Sequence, residues 1–324
     1  MTNIVIEKGD ILKTECDVLI LKYAQKFYGA DLEVAKALDL YEHQGEILTP
    51  GKYQSIATEG RLQCKRVLFI GVQELWNFGY AEIRRFSKKA LEIISEEPYE
   101  KNSLAMTIHG IGYGFDEREA FSAQVGGLIE YLNSSGNIWK PDTIKIVERN
   151  PKRMEILSSF WDSIKPSTGF EETSHSDMKL SPQIANAGIE SDKKKLVFVA
   201  MPYDEEMQDV YEFGIYQTIN SAGYLCERCD RTAFTGDVMD RIKKRISASK
   251  LVIADVTGAN PNVYLEVGYA WGKGVPTLLI AKEGQDLQFD VRTHRCIFYK
   301  NISNLKIQLS DIMPRLISGE SLGR

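Results

Sequence analysis

The sequence has no apolar run that approaches the about 18 consecutive residues a membrane-spanning helix needs. It has only five cysteines and four histidines in 324 residues. Cys226 and Cys229 form a CxxC pair without a second pair or a nearby histidine, so no metal site is predicted. Scattered cysteines in odd number fit a reducing compartment, and residues 2–11 read as a strand with acidic residues rather than a secretory signal. We therefore expect a cytoplasmic location and no membrane partner.

The chain also lacks a long block of lysine and arginine, and its net charge is -5. A basic surface for nucleic acid is therefore not expected. Hydrophobic residues make up 43% and charged residues 26% of the chain, which is typical of a soluble globular protein. The length suits two domains of ordinary size.

Residues 166–192 are rich in Ser, Thr, Glu, Asn and Gly and carry no sustained apolar periodicity, which predicts a flexible linker. The linker separates a domain over residues 1–165 from one over residues 193–324. The first alternates β-rich runs with segments of helical periodicity, so we expect an α/β domain with a parallel or mixed sheet covered by helices. Its β-rich runs lie at residues 18–21, 66–72, 104–109 and 143–147.

The second domain alternates more regularly, and its strands read as continuous apolar runs, as strands buried on both faces do. They are predicted at residues 195–200, 224–228, 250–254, 276–281 and 295–299, with helices that include residues 209–222, 238–248 and 262–272. This pattern predicts a flavodoxin-like, doubly wound parallel sheet. Ligands of such sheets bind outside the carboxyl ends of the strands.

Three polar loops leave the carboxyl ends of predicted strands in the second domain, and a doubly wound sheet brings such loops to one crevice. The candidate substrate-binding residues in these loops are Met201, Pro202, Tyr203, Asp230, Thr257, Asn260 and Asn262. Asp255 ends the third strand. Plainer interpretations also exist, with Asp255 or Asn262 as a helix cap and Pro261 as a helix start.

Glu266 is the leading catalytic candidate because it is an acid within the otherwise apolar or small segment 264–270. We expect it in about the first turn of the helix that follows Pro261, with its carboxylate in the crevice and near the positive helix end. The plainer interpretation is an exposed acid of a first helical turn.

The motifs of residues 195–300 resemble those of the nucleoside 2-deoxyribosyltransferase-like superfamily, including its bacterial TIR-like branch. The matching segments are FVAMPY, ERxD, IADVTG, NPNVxxExGYA and FDxR, which here occupy residues 198–203, 227–230, 253–258, 260–270 and 289–292. The resemblance implies that Glu266 is the nucleophile or the ribose-contacting acid in cleavage of an N-glycosidic bond. It also implies that Asp255 helps to handle the base or the sugar.

That chemistry suits a carboxylate, because breaking a C1′–N bond builds positive charge at C1′ that a carboxylate traps or stabilises. The leaving base needs a proton or a hydrogen bond, except that nicotinamide, already cationic in NAD, needs no proton. No cofactor is therefore required, and NAD is a candidate substrate. Deoxyribosyltransferases of this superfamily are compact single-domain enzymes, whereas this chain carries a second domain.

A strand enters a glycine-rich loop that opens a helix in the first domain, a geometry that favours anion binding by backbone amides. The loop residues are His109, Gly110, Ile111, Gly112, Tyr113 and Gly114, and His109 is either a phosphate contact or a packed residue. The order of motifs over residues 1–165 resembles macro domains and the macro-like N-terminal domain of leucine aminopeptidases. The resemblance implies a nucleotide ligand, with Asp10 and Ile11 at its adenine and residues 110–114 at its diphosphate.

One departure from macro domains concerns the segment after the second strand. The family's Asn-Ala-Ala-Asn, which holds the distal ribose, is replaced by LKYAQ at residues 21–25. This favours a sensing or scaffolding role over hydrolysis of ADP-ribose.

Three functions remain open from the sequence. The first is cleavage of NAD or a related nucleotide, controlled by a nucleotide ligand on the first domain, in bacterial antiphage defence and in a homo-oligomer, since TIR-like domains often complete their sites by assembly. The second is transfer of deoxyribose between the bases of free nucleosides. The third is a non-catalytic nucleotide-binding module that regulates or oligomerises.

Overall fold

A computed structural model describes residues 2–40, 48–134, 136, 139–165, 180–228 and 237–319, without the side chains of residues 76, 237 and 238. The chain forms two compact units. The first comprises Met1–Ile111 and Glu117–Ser191, and the second comprises Gly112–Asp116 and Asp192–Arg324. Within the described residues, no helix combines the length and the apolar character that crossing a membrane requires.

The first unit is built on a six-stranded mixed sheet with the strand order β1-β6-β5-β2-β4-β3. Neighbouring strands run parallel except β3, which pairs antiparallel with β4 at one edge. The strands are β1 (Asn3–Lys8), β2 (Val18–Tyr23), β3 (Tyr53–Ala57), β4 (Arg66–Gly71), β5 (Ser103–Thr107) and β6 (Thr143–Glu148).

Helices cover both faces of this sheet. One face packs on α1, where Leu19 and Leu21 of β2 meet Val34 and Ala35. Helix α4 contacts β1 and β6, α3 contacts both α2 and α4, and the Phe121 ring of α3 lies edge-on to Trp161 of α4. The helices are α1 (Gly29–Ala37), α2 (Tyr80–Glu96), α3 (Glu117–Asn133) and α4 (Pro151–Ile164). The first unit is thus a macro-like three-layer α/β/α domain, as the sequence predicts.

The last part of the expected linker is folded onto the first unit. A short helix, α5 (Pro182–Asn186), packs on α3, and Ile184 is fully buried. The Arg84 guanidinium of α2 donates hydrogen bonds of 2.6 Å to the carbonyls of Ile184 and Ala187. Arg84 lies about a hundred residues before these carbonyls, so local composition does not reveal the contact. Composition alone therefore predicts that the linker continues to residue 192. Residues 166–179 of the expected linker lie outside the described residues.

The second unit contains a five-stranded, fully parallel sheet with the order β11-β10-β9-β7-β8. Counted along the chain this is the 2-1-3-4-5 order of flavodoxin-like folds, which confirms the predicted fold class. The strands are β7 (Leu196–Ala200), β8 (Leu225–Glu227), β9 (Leu251–Asp255), β10 (Thr277–Lys282) and β11 (Cys296–Tyr299).

Helices again cover both faces. Phe198 and Ala200 of β7 pack against α8 (Asp237–Ala248) and α9 (Pro261–Gly272). Val197 and Val199 pack against α10 (Ile302–Ile317) and a long helix over residues 205–221. This long helix consists of α6 (Glu205–Asp209), a π-helical segment (Val210–Tyr216) and α7 (Gln217–Ser221). It starts earlier than the predicted residue 209, and its π-helical segment is unpredicted because apolar spacing does not reveal such a bulge.

Asp116 is a buried acid of the second unit whose carboxylate oxygens accept several hydrogen bonds. Its carboxylate accepts hydrogen bonds from the Tyr216 hydroxyl at 2.9 Å, the Asn220 side-chain amide at 3.1 Å and the Cys226 backbone amide at 2.9 Å. Three donors compensate the cost of burying a carboxylate. Asp116 therefore belongs to the packing of this unit.

Candidate active site

The direction of strand order in the second unit reverses between β7 and β9, which are direct neighbours. At such a switch point the loops after the two strands separate to opposite faces and leave a crevice at the carboxyl ends. The loop at residues 201–204 follows β7, and the loop at residues 256–260 follows β9. The topology therefore brings two of the three predicted loops to one crevice.

Asp255 is the last residue of β9 and has no exposed surface. Its Oδ1 accepts a hydrogen bond from the Thr257 amide at 3.0 Å, and its Oδ2 accepts one from the Tyr299 hydroxyl at 2.8 Å. Burial raises the pKa of Asp255, against the opposing effect of these hydrogen bonds. Asp255 is thus not a cap of α9. It is a buried carboxylate that stabilises the turn after β9.

The groups around Asp255 respond to its charge. Burial first, and the Asp255 carboxylate second, raise the pKa of the Tyr299 hydroxyl, so this hydroxyl stays protonated and donates. The same two causes raise the pKa of the Cys296 thiol to about 12. A thiol with such a pKa is not ionised near neutral pH, so Cys296 is a poor nucleophile.

The loop from Thr257 to Asn262 is shaped by its own hydrogen bonds. Asn260 caps α9, because its side chain accepts from the Asn262 amide at 3.0 Å, and Pro261 is the first helical residue. The Thr257 hydroxyl accepts from the Lys282 amide at 3.0 Å. Asn262 is exposed and is not the cap. The helix-start interpretation of Pro261 is confirmed, and the interpretation of Asn262 as cap is wrong.

Glu266 is the sixth residue of α9 and is only 7% exposed. It therefore lies at the start of the second helical turn, just beyond the first turn in which it was expected. Val263 and Val267 on the same helix are buried, and α9 packs against β7 and β9. The interpretation of Glu266 as an exposed first-turn acid is wrong.

Arg228 is a neighbour of the crevice that the sequence interpretation did not select. It follows β8, and its guanidinium lies between the rings of Tyr203 and Tyr211, at 4.0 and 3.6 Å from their centroids. It also donates to Gln208 Oε1 at 2.9 Å and to the Met201 sulfur at 3.6 Å. Its place as the arginine of the ERxD motif is the sequence feature that could have identified Arg228 as a site residue.

The remaining predicted residues of the second unit are placed as follows. Met201 and Pro202 are buried, and Tyr203 is 42% exposed. Asp230 and Cys229 lie outside the described residues. Within the part of the chain that the structure describes, no group of three or more His, Cys, Asp or Glu side chains is arranged to hold a metal ion.

Asp10, predicted to meet an adenine in the first unit, is engaged by its own chain. Its carboxylate accepts from the Leu12 amide and from the Arg149 guanidinium, both at 3.1 Å. Burial raises the pKa of Asp10, but these hydrogen bonds outweigh it and the net pKa is lowered. The neighbouring Ile11 is buried in the core. A ligand contact of Asp10 would have to compete with Arg149.

His109 is packed, which is the second of the two interpretations left open. It is 1% exposed, its ring lies edge-on to Phe86 at 4.6 Å, and neither ring nitrogen has a hydrogen-bond partner among the described residues. Burial, with the charge of Lys22 as a second cause, holds the pKa of His109 well below its usual value. His109 is therefore neutral near pH 7 and is not positioned to hold a phosphate.

The rest of the predicted glycine-rich loop is divided between the two units. Gly110, in the left-handed region at φ 91°, and the buried Ile111 belong to the first unit, whereas Gly112, Tyr113 and Gly114 belong to the second. Residues 111–113 form a single 3₁₀ turn. These placements leave the predicted diphosphate contact a prediction.

The segment that replaces the macro-domain Asn-Ala-Ala-Asn contributes a buried ion pair. Lys22 Nζ contacts Asp31 Oδ2 at 2.8 Å, with both side chains almost fully buried. Burial raises the pKa of Asp31, and the positive charge of Lys22 opposes that rise. A salt bridge therefore occupies the start of this segment.

A separate cavity of about 380 Å³ lies at the carboxyl end of β4, against α2. Phe78 and Phe86 line it together with the charged side chains of Glu82, Arg85 and Lys89. Arg85 is paired with Glu82. None of the predicted ligand-binding residues lines this cavity.

Comparisons with known proteins give structural neighbours only. No protein-family model matches the chain, and no curated protein matches it. A CMP N-glycosidase of Clostridium botulinum, BcmB, is similar at 20% identity and a TM-score of 0.31, over 37% of this chain and 99% of that one. A macrodomain of Oceanobacillus iheyensis with ADPR is similar at 18% identity and a TM-score of 0.41, over 49% and 92%.

Tomato leucine aminopeptidase is similar over 87% of this chain and 82% of its own, at 7% identity and a TM-score of 0.33. The neighbours thus include a macrodomain and an N-glycosidase. At these identities and scores they assign no activity to this chain.

Proposed function

We propose that the second unit cleaves the N-glycosidic bond of NAD or a related nucleotide, with Glu266 as the carboxylate that meets C1′. The observation that carries the proposal is the burial of Glu266 on α9, a helix packed against the two strands that flank the switch-point crevice. A buried acid is costly, and proteins keep such groups mainly where they are paired or used.

The chemistry requires little beyond this carboxylate and a pocket. The C1′–N bond breaks and its electron pair leaves with the base, so positive charge develops at C1′ and is stabilised or trapped by Glu266. Water then attacks C1′ and loses its proton to a carboxylate. Nicotinamide leaves NAD as a neutral base, so no acid is needed for it. For a neutral base, Asp255, whose pKa is raised by burial, is the candidate proton donor.

The proposal extends to control and biological role. In it, a nucleotide ligand binds the macro-like first unit and regulates cleavage, as expected of a TIR-like antiphage effector that assembles into homo-oligomers. Ligand binding to the first unit would raise its stability by mass action, which gives a readout independent of cleavage.

The test is release of free base, measured by chromatography from NAD, CMP and deoxynucleosides, with and without ADP-ribose as a candidate regulator. We expect release from NAD or a nucleotide and a loss of about a thousandfold or more in Glu266→Gln. Asp311→Asn, a matched acid-to-amide change at an exposed position of α10, should leave the rate unchanged. Equal release from Glu266→Gln, or none under any condition, contradicts the proposal.

Two other results would point to the alternative functions. Exchange of bases between deoxynucleosides without cleavage of NAD identifies a deoxyribosyltransferase. Stabilisation by nucleotides without turnover of any substrate identifies a binding module.

A further inference from the structure

Among the residues that the structure describes, the buried guanidinium of Arg228 has no anionic partner. Arg228 is 7% exposed, and its contacts are two tyrosine rings, the neutral Gln208 amide and the Met201 sulfur. Among the described residues no carboxylate pairs with it, and its Nε has no hydrogen-bond partner. Aromatic faces attract a cation but do not neutralise it. An uncompensated buried charge is costly, so a counter-ion is expected.

The acid next to Arg228 in sequence is already engaged elsewhere. The Glu227 carboxylate is fully buried and accepts two hydrogen bonds from the Arg245 guanidinium, at 2.5 and 2.6 Å. Arg245 therefore neutralises Glu227. Within the described ranges, Arg228, the arginine of the ERxD motif, therefore contacts neutral groups.

Arg228 lies beside the candidate crevice. β8, which it follows, is the neighbour of β7, and its contact with Met201 joins it to the loop that leaves β7 toward the switch point. Adjacent strands lie about 4.8 Å apart, so the ends of β8 and β9 are about 10 Å apart. This is the scale of a ribose with its phosphate. A substrate with its sugar near Asp255 and Glu266 could thus extend a phosphate to Arg228.

We infer that Arg228 binds a phosphate group of the nucleotide, and so makes this crevice select nucleotides over nucleosides. This inference rests on the proposed function, whose substrate class it narrows. Arginine suits the role because its planar donors match phosphate oxygens, and the flanking rings fix the plane of the guanidinium.

The experiment measures binding in a Glu266→Gln background, which prevents turnover. The probes are AMP, ADP-ribose and adenosine, which present a phosphate monoester, a diphosphate bridge and no phosphate. We expect at least one of the two phosphate-bearing probes to bind about tenfold or more tightly than adenosine, since hydrogen bonds to charged groups have that value. The probe that shows the preference identifies the kind of phosphate bound.

Two variants test the assignment to Arg228. Arg228→Gln removes the charge, and Gln208→Glu places a carboxylate at the atom that already accepts from Arg228 at 2.9 Å. The second variant neutralises the cation without removing it, and it should fold even if the first does not. Both should reduce the preference for phosphate to about unity. Gln217→Glu, the same change at a residue of the long helix that accepts a hydrogen bond from Lys306 instead of Arg228, should leave the preference intact.

Other outcomes overturn the inference. If folded Gln208→Glu retains the preference, the phosphate is bound elsewhere, as by the first unit. If the parent protein shows no preference, Arg228 does not bind a phosphate of these ligands. The phosphate preference is measured by binding and needs no turnover. Absence of base release would therefore contradict the proposed function but would not affect the test of Arg228.

Discussion

The hydroxyl of Tyr299 donates a 2.8 Å hydrogen bond to Oδ2 of Asp255, although the two residues end strands that are separated in the sheet by β10. The contact joins β11 to the strand that borders the candidate crevice. It opposes the rise that burial causes in the pKa of Asp255. The Tyr299 hydroxyl therefore lowers the pKa of Asp255 relative to burial alone and holds its carboxylate in position.

Tyr299→Phe should destabilise the protein by about 1–3 kcal/mol, because it removes a donor from a buried carboxylate. The hydrogen bond favours the charged form of Asp255, so the loss should grow as pH rises and Asp255 ionises. Chemical denaturation at several pH values measures the effect. Tyr269→Phe is the matched control, since its hydroxyl forms a 3.3 Å hydrogen bond with the exposed Ser247 side chain and not with a buried carboxylate of the described residues. Equal losses in both variants would contradict the assignment.

Asp255→Asn should change the pH dependence of stability in a defined direction. Burial raises the pKa of Asp255 in the folded state above its ordinary value of 3.8. The stabilising contribution of its protonated form is therefore full below that value and is lost as pH rises through the folded pKa. The asparagine side chain does not ionise, so the variant does not lose this stability as pH rises. Its carbonyl oxygen can accept from the Thr257 amide, and its NH2 group can donate to the Tyr299 hydroxyl oxygen. The variant should gain melting temperature relative to the parent as pH rises from about 4 to 8.

The same variant separates stability from function. If Asp255 donates the proton to a neutral leaving base, Asp255→Asn should slow release of cytosine from CMP while release of nicotinamide from NAD is affected less. A parallel loss on both substrates would instead indicate a positioning role. A melting-temperature difference between variant and parent that does not change from pH 4 to pH 8 would contradict the pKa argument.

Local patterns in the sequence were sufficient for the fold class and for the residues that stand at strand ends. Apolar runs locate the strands, and an acid in an apolar helix singles out Glu266, because both signals are local. The ring pair around Arg228 and the bond from Tyr299 to Asp255 join residues far apart in sequence, so no local pattern reveals them. The site residues themselves stay predictions until substrate is bound or turned over.

His109→Phe should stabilise the first unit, because the imidazole nitrogens are buried without partners and the ring already packs edge-on to Phe86. The gain should be about 1 kcal/mol at neutral pH. The folded pKa of His109 lies well below its usual value of 6.5. Its neutral form therefore stabilises the fold above that value, and the contribution is lost as pH falls below it.

The variant should consequently flatten the loss of stability between about pH 7 and pH 5, which thermal unfolding across that range measures. It should also bind ADP-ribose as the parent does, if the parent binds it. Reduced binding would restore His109 as a ligand contact and contradict the packed interpretation.

Arg84→Met should release residues 182–187 from the first unit. Arg84 is buried and donates to the carbonyls of Ile184 and Ala187, and hydrogen bonds from a charged donor are worth about 1.5–3 kcal/mol each. Methionine retains the apolar stem but none of the donors. Limited digestion with subtilisin, followed by mass spectrometry, should therefore show faster cleavage between residues 180 and 191, because proteolysis follows the population of the open form.

Arg85→Met is the matched control, since Arg85 is the next residue of α2, is exposed and pairs with Glu82. Equal cleavage in the two variants would mean that Ile184 burial, and not Arg84, holds this segment in place.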